Sequence, residues 1–233
     1  MQERAQRPLL TFALAESALE LVPEELWGHR SVRRSARRRG KRPGDVLLDL
    51  SLHYAAARRL QGWERRGRPD IVHTTLLYVL STPLCRRGLL RVYVHTVADL
   101  VIEVRPDTRI PKNFNRFVGL MEQLLKNGRV PLEGEALMRV AGRGFSLVLE
   151  SVKPSLTILL TDRGALMRPR ELAELIASEP SPLLIVGGFQ RGDFSAHFYE
   201  IADVKASIYP EPLNAWVAAS IVLHSVEEAL GLY

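Results

Sequence analysis

A loop rich in glycine follows an apolar run in the C-terminal half of the chain. Residues 183–186 have the length and content of a buried strand, and Gly187, Gly188 and Gly192 come after it. Because glycine has no β-carbon, backbone amides in such a loop can come close to a ligand. Glycine-rich turns also form without any ligand, so this loop alone is consistent with either a cofactor site or a plain turn.

Two more loops follow apolar segments, at residues 161–164 and 207–213. The βαβ order of these segments predicts a parallel sheet, whose loops meet at the carboxyl ends of its strands. There the loops would offer backbone donors and acceptors to a flat, mostly uncharged heterocycle such as adenine. The lysine and hydroxyl of a phosphate-binding loop and the helix-opening glycine pattern of dinucleotide folds are missing. S-adenosylmethionine therefore fits this pattern better than a nucleoside triphosphate or a nicotinamide cofactor.

A group of cationic residues near the middle of the chain could bind nucleic acid. Pro111 suits the first position of a helix, which predicts that Lys112 and Arg116 project from one face, with Arg109 just before it. Such a stripe could follow the phosphates of a single-stranded or looped RNA. The alternative is a charged helix face that is simply solvated.

Asp70 has more than one possible role. It precedes a helix predicted to begin at Ile71, where it would be an N-cap, and it follows Arg68 closely enough to orient that guanidinium. It could also accept a proton from a substrate base. Because a carboxylate paired with arginine has a lowered pKa and is a weaker base, we favour capping or arginine orientation.

Composition limits the class of protein. The 233 residues suffice for one large α/β domain or a domain with an appended lobe, and the net charge is +6 with more arginine than lysine. This balance favours contacts with phosphates and bases, or else an ion-pair-rich surface suited to high temperature. Cys85 is the one cysteine, which predicts an incidental thiol in a reducing compartment, and no histidine or cysteine spacing indicates a metal. The absence of a long apolar run, and Glu3 and Arg4 near the start, predict a soluble, intracellular protein without a membrane span.

Hydrophobic patterning predicts the elements that position these groups. The predicted strands are residues 9–14, 46–50 (or a strand-to-helix passage), 90–95, 100–104, 145–150, 156–160 and 183–186, with 90–95 and 100–104 forming a hairpin. The predicted helices are residues 16–21, one capped by Ser51, 71–80, 117–125, 168–177 and one opened by Pro212. Leu213, Val217 and Ile221 of the last helix would cover the sheet or a partner subunit.

Residues 29–44 are dominated by arginine and lysine and lack apolar periodicity. A block of like charge repels itself, which predicts a flexible insertion that is not ordered without a partner. The insertion could be an electrostatic arm for RNA or a solvated loop, and the sequence is consistent with both.

Five stretches in order resemble the Nep/Emg family of ribosome-biogenesis methyltransferases, which belong to the SPOUT class with a trefoil-knotted fold. They are RRGRPDIVHTTLL (65–77), RVYVHT (91–96), TRIPKNFNRFVGLMEQLL (108–125), VGGFQRGDF (186–194) and SIYPEPLNAW (207–216). The resemblance covers most of the chain. It implies a single SPOUT domain over residues 1–233, with a mostly parallel central sheet, helices on both faces, the basic insertion at 29–44 and a β-hairpin and helical extension around 88–110.

The resemblance also implies an activity and its residues. A cytoplasmic homodimer would transfer a methyl group from S-adenosylmethionine to N1 of a pseudouridine in small-subunit ribosomal RNA, with S-adenosylhomocysteine as product and ribosomal proteins or assembly factors as further partners. The implied catalytic residues, at the target base, are Arg68 and Asp70, with no metal. The implied cofactor-binding residues are Thr161, Asp162, Gly164, Val186, Gly187, Gly188, Gly192, Ile208, Tyr209, Leu213 and Ala215, and the implied RNA-binding residues are Arg65, Arg66, Arg68, Arg109, Lys112 and Arg116.

The sequence departs from the family pattern at two places. Thr82, Pro83, Leu84 and Cys85 stand where the family often has Ser-Pro-Leu/Ile-Asn, and Lys112 stands where arginine is common. Lysine keeps the charge of arginine but loses its bidentate fork. Alternatives to the implied activity are an RNA-binding assembly factor whose methyl transfer is secondary, and a SPOUT methyltransferase acting on transfer RNA.

Overall fold

Eight strands form one sheet within residues 9–233, the part of the chain that the structure, a computed structural model, describes. The strands are β1 (Leu10–Ser17), β2 (Leu90–Thr96), β3 (Leu100–Val104), β4 (Arg129–Val130), β5 (Met138–Arg143), β6 (Leu156–Leu166), β7 (Pro182–Gly187) and β8 (Val204–Ser207). Their order across the sheet is β4-β5-β3-β2-β1-β7-β6-β8.

The sheet is parallel from β2 through β1, β7 and β6 to β8, and antiparallel beyond β2. The predicted hairpin is confirmed, since β2 and β3 pair antiparallel with Val92 opposite Val104. The predicted α/β fold with a mostly parallel central sheet is confirmed as well. Its parallel strands β1, β7 and β6 present their carboxyl ends at one edge, where ligands of such sheets bind.

Helices cover both faces of this sheet, as predicted. They are α1 (Arg30–Arg38), α2 (Leu50–Ala57), α3 (Pro69–Val79), α4 (Pro83–Arg86), α5 (Phe114–Asn127), α6 (Ser146–Val152), α7 (Pro169–Ser178), α8 (Ala196–Ile201) and α9 (Ala215–Ala229). In β1, Phe12 and Leu14 pack with α3, α5, α7 and α9, while Ala13 and Ala15 pack with α6 and α8. A strand covered on both faces is apolar at nearly every position, which is why β7 is a continuous apolar run and β1 is apolar from Phe12 to Ala15.

The prediction of a strand at residues 145–150 is wrong, because this stretch belongs to α6. Phe145, Val148 and Val152 are buried at helical spacing and pack in one core cluster. A short apolar run of this length has no clear period, so packing against the sheet decided the helix.

A further prediction near the N-terminal end is wrong: residues 16–21 are not a helix, because β1 continues to Ser17. Residues 46–50 form the predicted strand-to-helix passage rather than a strand, since they contain only an isolated bridge between Leu21 and Leu47 and lead into α2 at Leu50. The cap of α2 is Asp49, whose carboxylate accepts a hydrogen bond from the Ser51 N–H at 2.8 Å.

The basic segment at 29–44 is ordered as α1 and a short 3-10 helix (Pro43–Asp45), so its prediction as a flexible insertion is wrong. Val32 and Ala36 of α1 are buried against Leu26, Leu48 and Ala56, in a small core of its own. We call residues 18–66, which contain this core, the lobe. The burial of its apolar residues offsets the repulsion among the arginines of α1.

A buried carboxylate ties the lobe to the rest of the protein. Glu122 of α5 is 1% exposed and accepts hydrogen bonds from Arg39, from Lys41 Nζ at 2.5 Å and from the Leu47 N–H at 3.0 Å. A charge can remain buried only when it is paired in this way. The end of α1 is therefore held firmly against α5.

The last helix differs in detail from its prediction. It begins at Ala215 rather than at Pro212, and its buried face carries Ala219, Val222 and Val226. Val217 and Ile221, which were predicted to cover the sheet or a partner, are only half-buried.

The trefoil knot stays a prediction. Glu3 and Arg4, which bear on the prediction of no signal peptide, lie outside the described residues. Within residues 9–233 we find no helix with the length and apolar character needed to cross a membrane.

We expect Glu122→Gln to lower the free energy of unfolding by about 3 kcal/mol, because it leaves Arg39 and Lys41 without their carboxylate. The matched control is Glu150→Gln, since Glu150 is an exposed helical glutamate without an ion pair among the described residues. Urea unfolding of both variants measures the difference, and an equal effect of the two substitutions would contradict the anchoring role of Glu122.

Candidate functional site

A cavity of about 280 Å³ lies at the carboxyl edge of the parallel strands, beside the first turn of α3. Seven of the predicted cofactor residues line it together with Arg68, and they come from β6, from β7 and the loop after it, and from the start of α9 with the segment before it: Thr161, Asp162, Val186, Gly187, Gly192, Leu213 and Ala215. The fold thus brings together three stretches that are far apart in the chain. The lining also includes residues that the sequence did not single out, among them Phe189, Asn214 and Trp216.

The first of these stretches is a bulge rather than a loop. β6 does not end at Leu160 but continues to Leu166, with an irregularity in its pairing with β8 between Leu160 and Ala165. Gly164 lines no cavity of this edge. A β-carbon on Gly164 would lie 2.5 Å from the backbone of Ala206, so glycine is needed there for strand packing.

The bulge is bound to the glycine-rich loop by a chain of polar contacts. The hydroxyls of Thr161 and Tyr199 lie 3.0 Å apart, and the Tyr199 hydroxyl donates to Asp193 at 2.6 Å. Arg163 also pairs with Asp193, at 3.0 Å. These contacts fix two walls of the cavity relative to each other, which pre-forms the site.

The glycines of the loop have different roles. A β-carbon on Gly188 would lie 2.8 Å from Cα of Ser17, so Gly188 permits close packing against the end of β1 and does not line the cavity. Gly187 does line it, and a β-carbon there would meet the ring of Phe189 at 2.9 Å. Gly192 has a φ of +89°, a left-handed conformation that favours glycine.

Ile208 and Tyr209 line a smaller adjoining cavity of about 60 Å³, which shares Thr161 and Leu213 with the larger one. The Ser207 hydroxyl donates to the Tyr209 carbonyl at 2.7 Å and shapes this turn. The third predicted stretch therefore contributes to a neighbouring recess as well as to the main cavity.

Arg68 and Asp70 form a bidentate ion pair at the edge of the cavity. Arg68 Nε donates to Asp70 Oδ1 at 2.8 Å and Nη2 to Oδ2 at 2.6 Å. Because α3 begins at Pro69, the N-cap is Arg68, and the prediction that Asp70 caps the helix is wrong. Partial burial would raise the pKa of Asp70, but Arg68 and the backbone N–H groups of Asp70 and Ile71 outweigh it and hold that pKa below its usual value. Asp70 therefore orients Arg68 and is a poor proton acceptor.

Arg65 and Arg66 already have carboxylate partners within the chain. Arg65 pairs with Glu16 at 2.5 Å, and Arg66 makes a bidentate pair with Glu20. The Arg65 guanidinium also lies over the ring of Phe189, 4.4 Å from its centre. Both arginines thus brace the site from within the protein, and we do not include them in the RNA surface.

Arg109, Lys112 and Arg116 are exposed and have no ion pair among the described residues. The helix begins at Phe114 with Asn113 as N-cap, so the prediction that Pro111 opens it and that Lys112 lies on its face is wrong. The reason is that the Asn113 side chain accepts from the Arg116 N–H at 3.1 Å, which starts the helix later.

The segment before α5 is held against α3. His73 Nε2–H donates to the Pro111 carbonyl at 2.7 Å, and the His73 ring stacks on that of Phe117, with centroids 4.5 Å apart. Phe117 is fully buried, as expected for a core residue. The segment with Arg109 and Lys112 is therefore fixed against α3, the helix that begins next to Arg68. Arg109 and Lys112 line a surface cavity of about 800 Å³ beside α3.

Cys85 is buried, and its thiol donates to the Pro106 carbonyl at 3.4 Å. Burial, with a smaller effect from Asp107, raises the pKa of the Cys85 thiol to about 11. A thiol with this pKa is not a nucleophile near neutral pH. Among residues 9–233, no three histidine, cysteine or acidic side chains are arranged to hold a metal ion.

Fold and site together define an α/β protein with a pre-formed cavity at the carboxyl ends of its parallel strands and cationic residues beside it. Residues 12–227 match the family model described as EMG1/NEP1 methyltransferase. The chain therefore belongs to the EMG1/NEP1 methyltransferase family, which confirms the resemblance found in the sequence.

Individual relatives span nearly the whole chain. The ribosomal RNA small subunit methyltransferase Nep1 of Thermococcus kodakarensis is 46% identical over 96% of this chain and 100% of its own length. The protein of the same name from Staphylothermus marinus is 46% identical over 94% and 95%. The crystal structure of Archaeoglobus fulgidus Nep1 bound to S-adenosylhomocysteine superposes with a TM-score of 0.84 at 34% identity, covering 95% of this chain and 98% of that one.

We expect Cys85 to resist alkylation in the folded protein at pH 8 and to react only as the pH approaches about 11, where the thiolate forms. The unfolded protein in denaturant should react already near pH 8.5, since its thiol is solvated. Mass spectrometry after timed treatment with iodoacetamide measures both rates. Equal rates for the folded and unfolded protein at pH 8 would show that the thiol is accessible.

Proposed function

We propose that this protein methylates N1 of a pseudouridine in small-subunit ribosomal RNA, using S-adenosylmethionine. The observation that carries the proposal is the near full-length similarity to proteins named ribosomal RNA small subunit methyltransferase. The cavity at the sheet edge supports it, because the similar Archaeoglobus fulgidus protein was crystallised with S-adenosylhomocysteine.

The residues of the cavity suit this cofactor. Leu160, Val186 and Leu213 are apolar, while Thr161, Asp162 and Asn214 add polar groups, a combination that accepts an adenine ring and a polar tail. The described lining contains no lysine, and its one arginine, Arg68, is paired with Asp70, in keeping with a ligand that carries no phosphates. Bound there, S-adenosylmethionine would supply an electrophilic methyl group on its sulfonium.

Arg68 is the residue that we assign to the target base. Its guanidinium lines the cavity and is held in one orientation by both oxygens of Asp70. From this position it can donate hydrogen bonds to the carbonyl oxygens of a uracil ring and fix the ring for in-line attack, which contributes through proximity and orientation. Asp70 acts as a positioning residue, because its lowered pKa makes it a weak base.

Arg109, Lys112 and Arg116 would bind the phosphates next to that base. They are exposed, lack competing carboxylates among the described residues and stand on elements fixed to α3 by His73. RNA bases that are read in a pocket are unpaired and turned out of a loop, so the backbone on either side needs such anchors.

The activity is tested by incubating the protein with S-adenosylmethionine and a small-subunit RNA hairpin that contains pseudouridine. We expect mass spectrometry to show one added methyl group on the pseudouridine and none on a matched hairpin with uridine, in which N1 carries the ribose. An unmodified hairpin, or methylation of transfer RNA instead, would contradict the proposal.

A cavity variant separates methyl transfer from RNA binding in the same assay. Leu213→Trp fills the cavity and should abolish methylation while RNA affinity stays within about twofold, because no phosphate contact changes.

We also propose that the protein is a homodimer. Leu166 of β6 and Tyr209 after β8 are 67% and 51% exposed, although Tyr209 lines the smaller recess and Leu166 pairs with Ser207 at its edge. Large apolar side chains exposed next to a functional site are typical of a surface that another subunit covers. A cytoplasmic location and contacts with ribosomal proteins or assembly factors stay predictions.

Light scattering coupled to size exclusion measures the subunit number. We expect a dimer for the natural chain and a shift toward monomer for Leu166→Asp. Leu132→Asp, at an exposed leucine elsewhere, is the control and should remain dimeric. A natural chain that elutes as a monomer at all concentrations would refute the dimer.

A further inference from the structure

The arginines of α1 are the most concentrated charge on the protein that the proposed site does not use. All five of these arginines are exposed to solvent: Arg30, Arg33, Arg34, Arg37 and Arg38. With Gly28 they line a surface groove of about 500 Å³ along the helix. None of the five is in an ion pair with another described residue, whereas Arg39, Lys41 and Arg42, which follow them, all are.

This arrangement opposes the stability of α1. Arg30 and Arg34, and Arg34 and Arg38, are four residues apart on one face, where like charges repel. Arg30 also stands in the first turn, which contains no acidic residue, although that end of a helix favours negative charge. An anionic partner would explain why α1 retains a charged face that lowers its stability.

The helix is rigidly placed in spite of this repulsion. The opposite face is buried through Val32 and Ala36, and the Ser35 hydroxyl lies 2.6 Å from His53 Nε2. At its C-terminal end, Arg39 and Lys41 are bound to the buried Glu122. The five arginines thus form a fixed surface, which is how a binding face differs from a flexible basic tail.

The lobe that carries α1 is attached at the edge of the cofactor cavity. It leaves the sheet after Ser17 and returns at Arg68, whose N–H donates to the Ala18 carbonyl at 3.0 Å. Both of its ends are clamped there by the pairs of Arg65 with Glu16 and of Arg66 with Glu20. An RNA whose target base reaches Arg68 would therefore extend past the lobe.

We propose that α1 binds the phosphate backbone of the base-paired stem next to the target loop of the substrate RNA, an inference that rests on the proposed function. Five guanidinium groups on a helix about 13 Å long match consecutive phosphates in charge and geometry. α1 contains no aromatic side chain on which bases could stack, so it reads the backbone and shape of a duplex rather than its sequence. An acidic protein is the competing partner for such a surface.

The test uses two RNAs, polyglutamate as an acidic polymer that carries no phosphates, and three double variants. The RNAs are a hairpin with its full stem and a single-stranded oligonucleotide of the loop alone. R34Q/R38Q removes two charges from α1, and R34K/R38K keeps them. R168Q/R170Q removes two exposed charges from the start of α7, away from the lobe. Fluorescence anisotropy across a series of salt concentrations, without S-adenosylmethionine, gives the affinity and its salt dependence.

For R34Q/R38Q we expect Kd for the hairpin to rise about tenfold at low salt, and the slope of log Kd against log salt to fall by about two. Its affinity for the loop oligonucleotide should not change, and R34K/R38K and R168Q/R170Q should match the natural chain on both RNAs. The Tm of R34Q/R38Q should be equal to or higher than that of the natural chain, because repulsion within α1 is relieved. A Tm that does not fall, together with a loss of binding, distinguishes a binding role from misfolding.

An unchanged Kd and slope for R34Q/R38Q on the hairpin would overturn the proposal, as would an equal loss of affinity for both RNAs. Loss of binding to polyglutamate without loss of RNA binding would assign the surface to an acidic protein instead. Failure of the proposed function is seen separately, as absence of methyl transfer by the natural chain, since the binding measurements need no cofactor.

Discussion

Two ion pairs at the carboxyl end of β1 hold the site together. Glu16 and Glu20 bind Arg65 and Arg66 at the point where the chain returns from the lobe to the sheet. Glu16 also accepts from the Ser195 N–H at 3.1 Å, just after the glycine-rich loop, and its φ of +48° shows a backbone held in a conformation that non-glycine residues rarely adopt. These contacts connect the end of β1, the start of α3 and the loop after β7.

These ion pairs position both the cofactor cavity and the lobe that carries α1. Arg68, three residues after Arg65, is delivered to the cofactor cavity, and the ring of Phe189 is held under the Arg65 guanidinium. On the other side, the lobe stands fixed beside the cavity with α1 on its surface. Partly buried arginine–carboxylate pairs have a strict geometry, so the cofactor cavity and the exposed face of α1 keep a defined separation. A single RNA can therefore contact both.

The sequence predicts those structural features that depend on residues close together in the chain. The sequence predicts the strand at residues 183–186 correctly, because a strand buried on both faces is apolar throughout. The helix at residues 30–38 was missed because what stabilises it is distant: Glu122 is 83 residues from Arg39. Charge pattern alone cannot show that such a partner exists.

The same distinction applies to the site. The sequence predicts the three cofactor stretches from their places after apolar segments and, in two of them, from their glycines, yet Gly164 and Gly188 allow close backbone packing rather than ligand approach. Arg65 and Arg66 belong to a recognisable motif, but their partners Glu16 and Glu20 lie 49 and 46 residues away and give no local signal.

We infer that the three stretches and Arg68 enclose one reaction site. A crystal structure of the protein with S-adenosylhomocysteine and a pseudouridine hairpin tests it most directly. We expect the adenine to lie between residues 161–162, 186–187 and 213–215, with the target base against Arg68. A nucleoside bound elsewhere, or a base remote from Arg68, would contradict it.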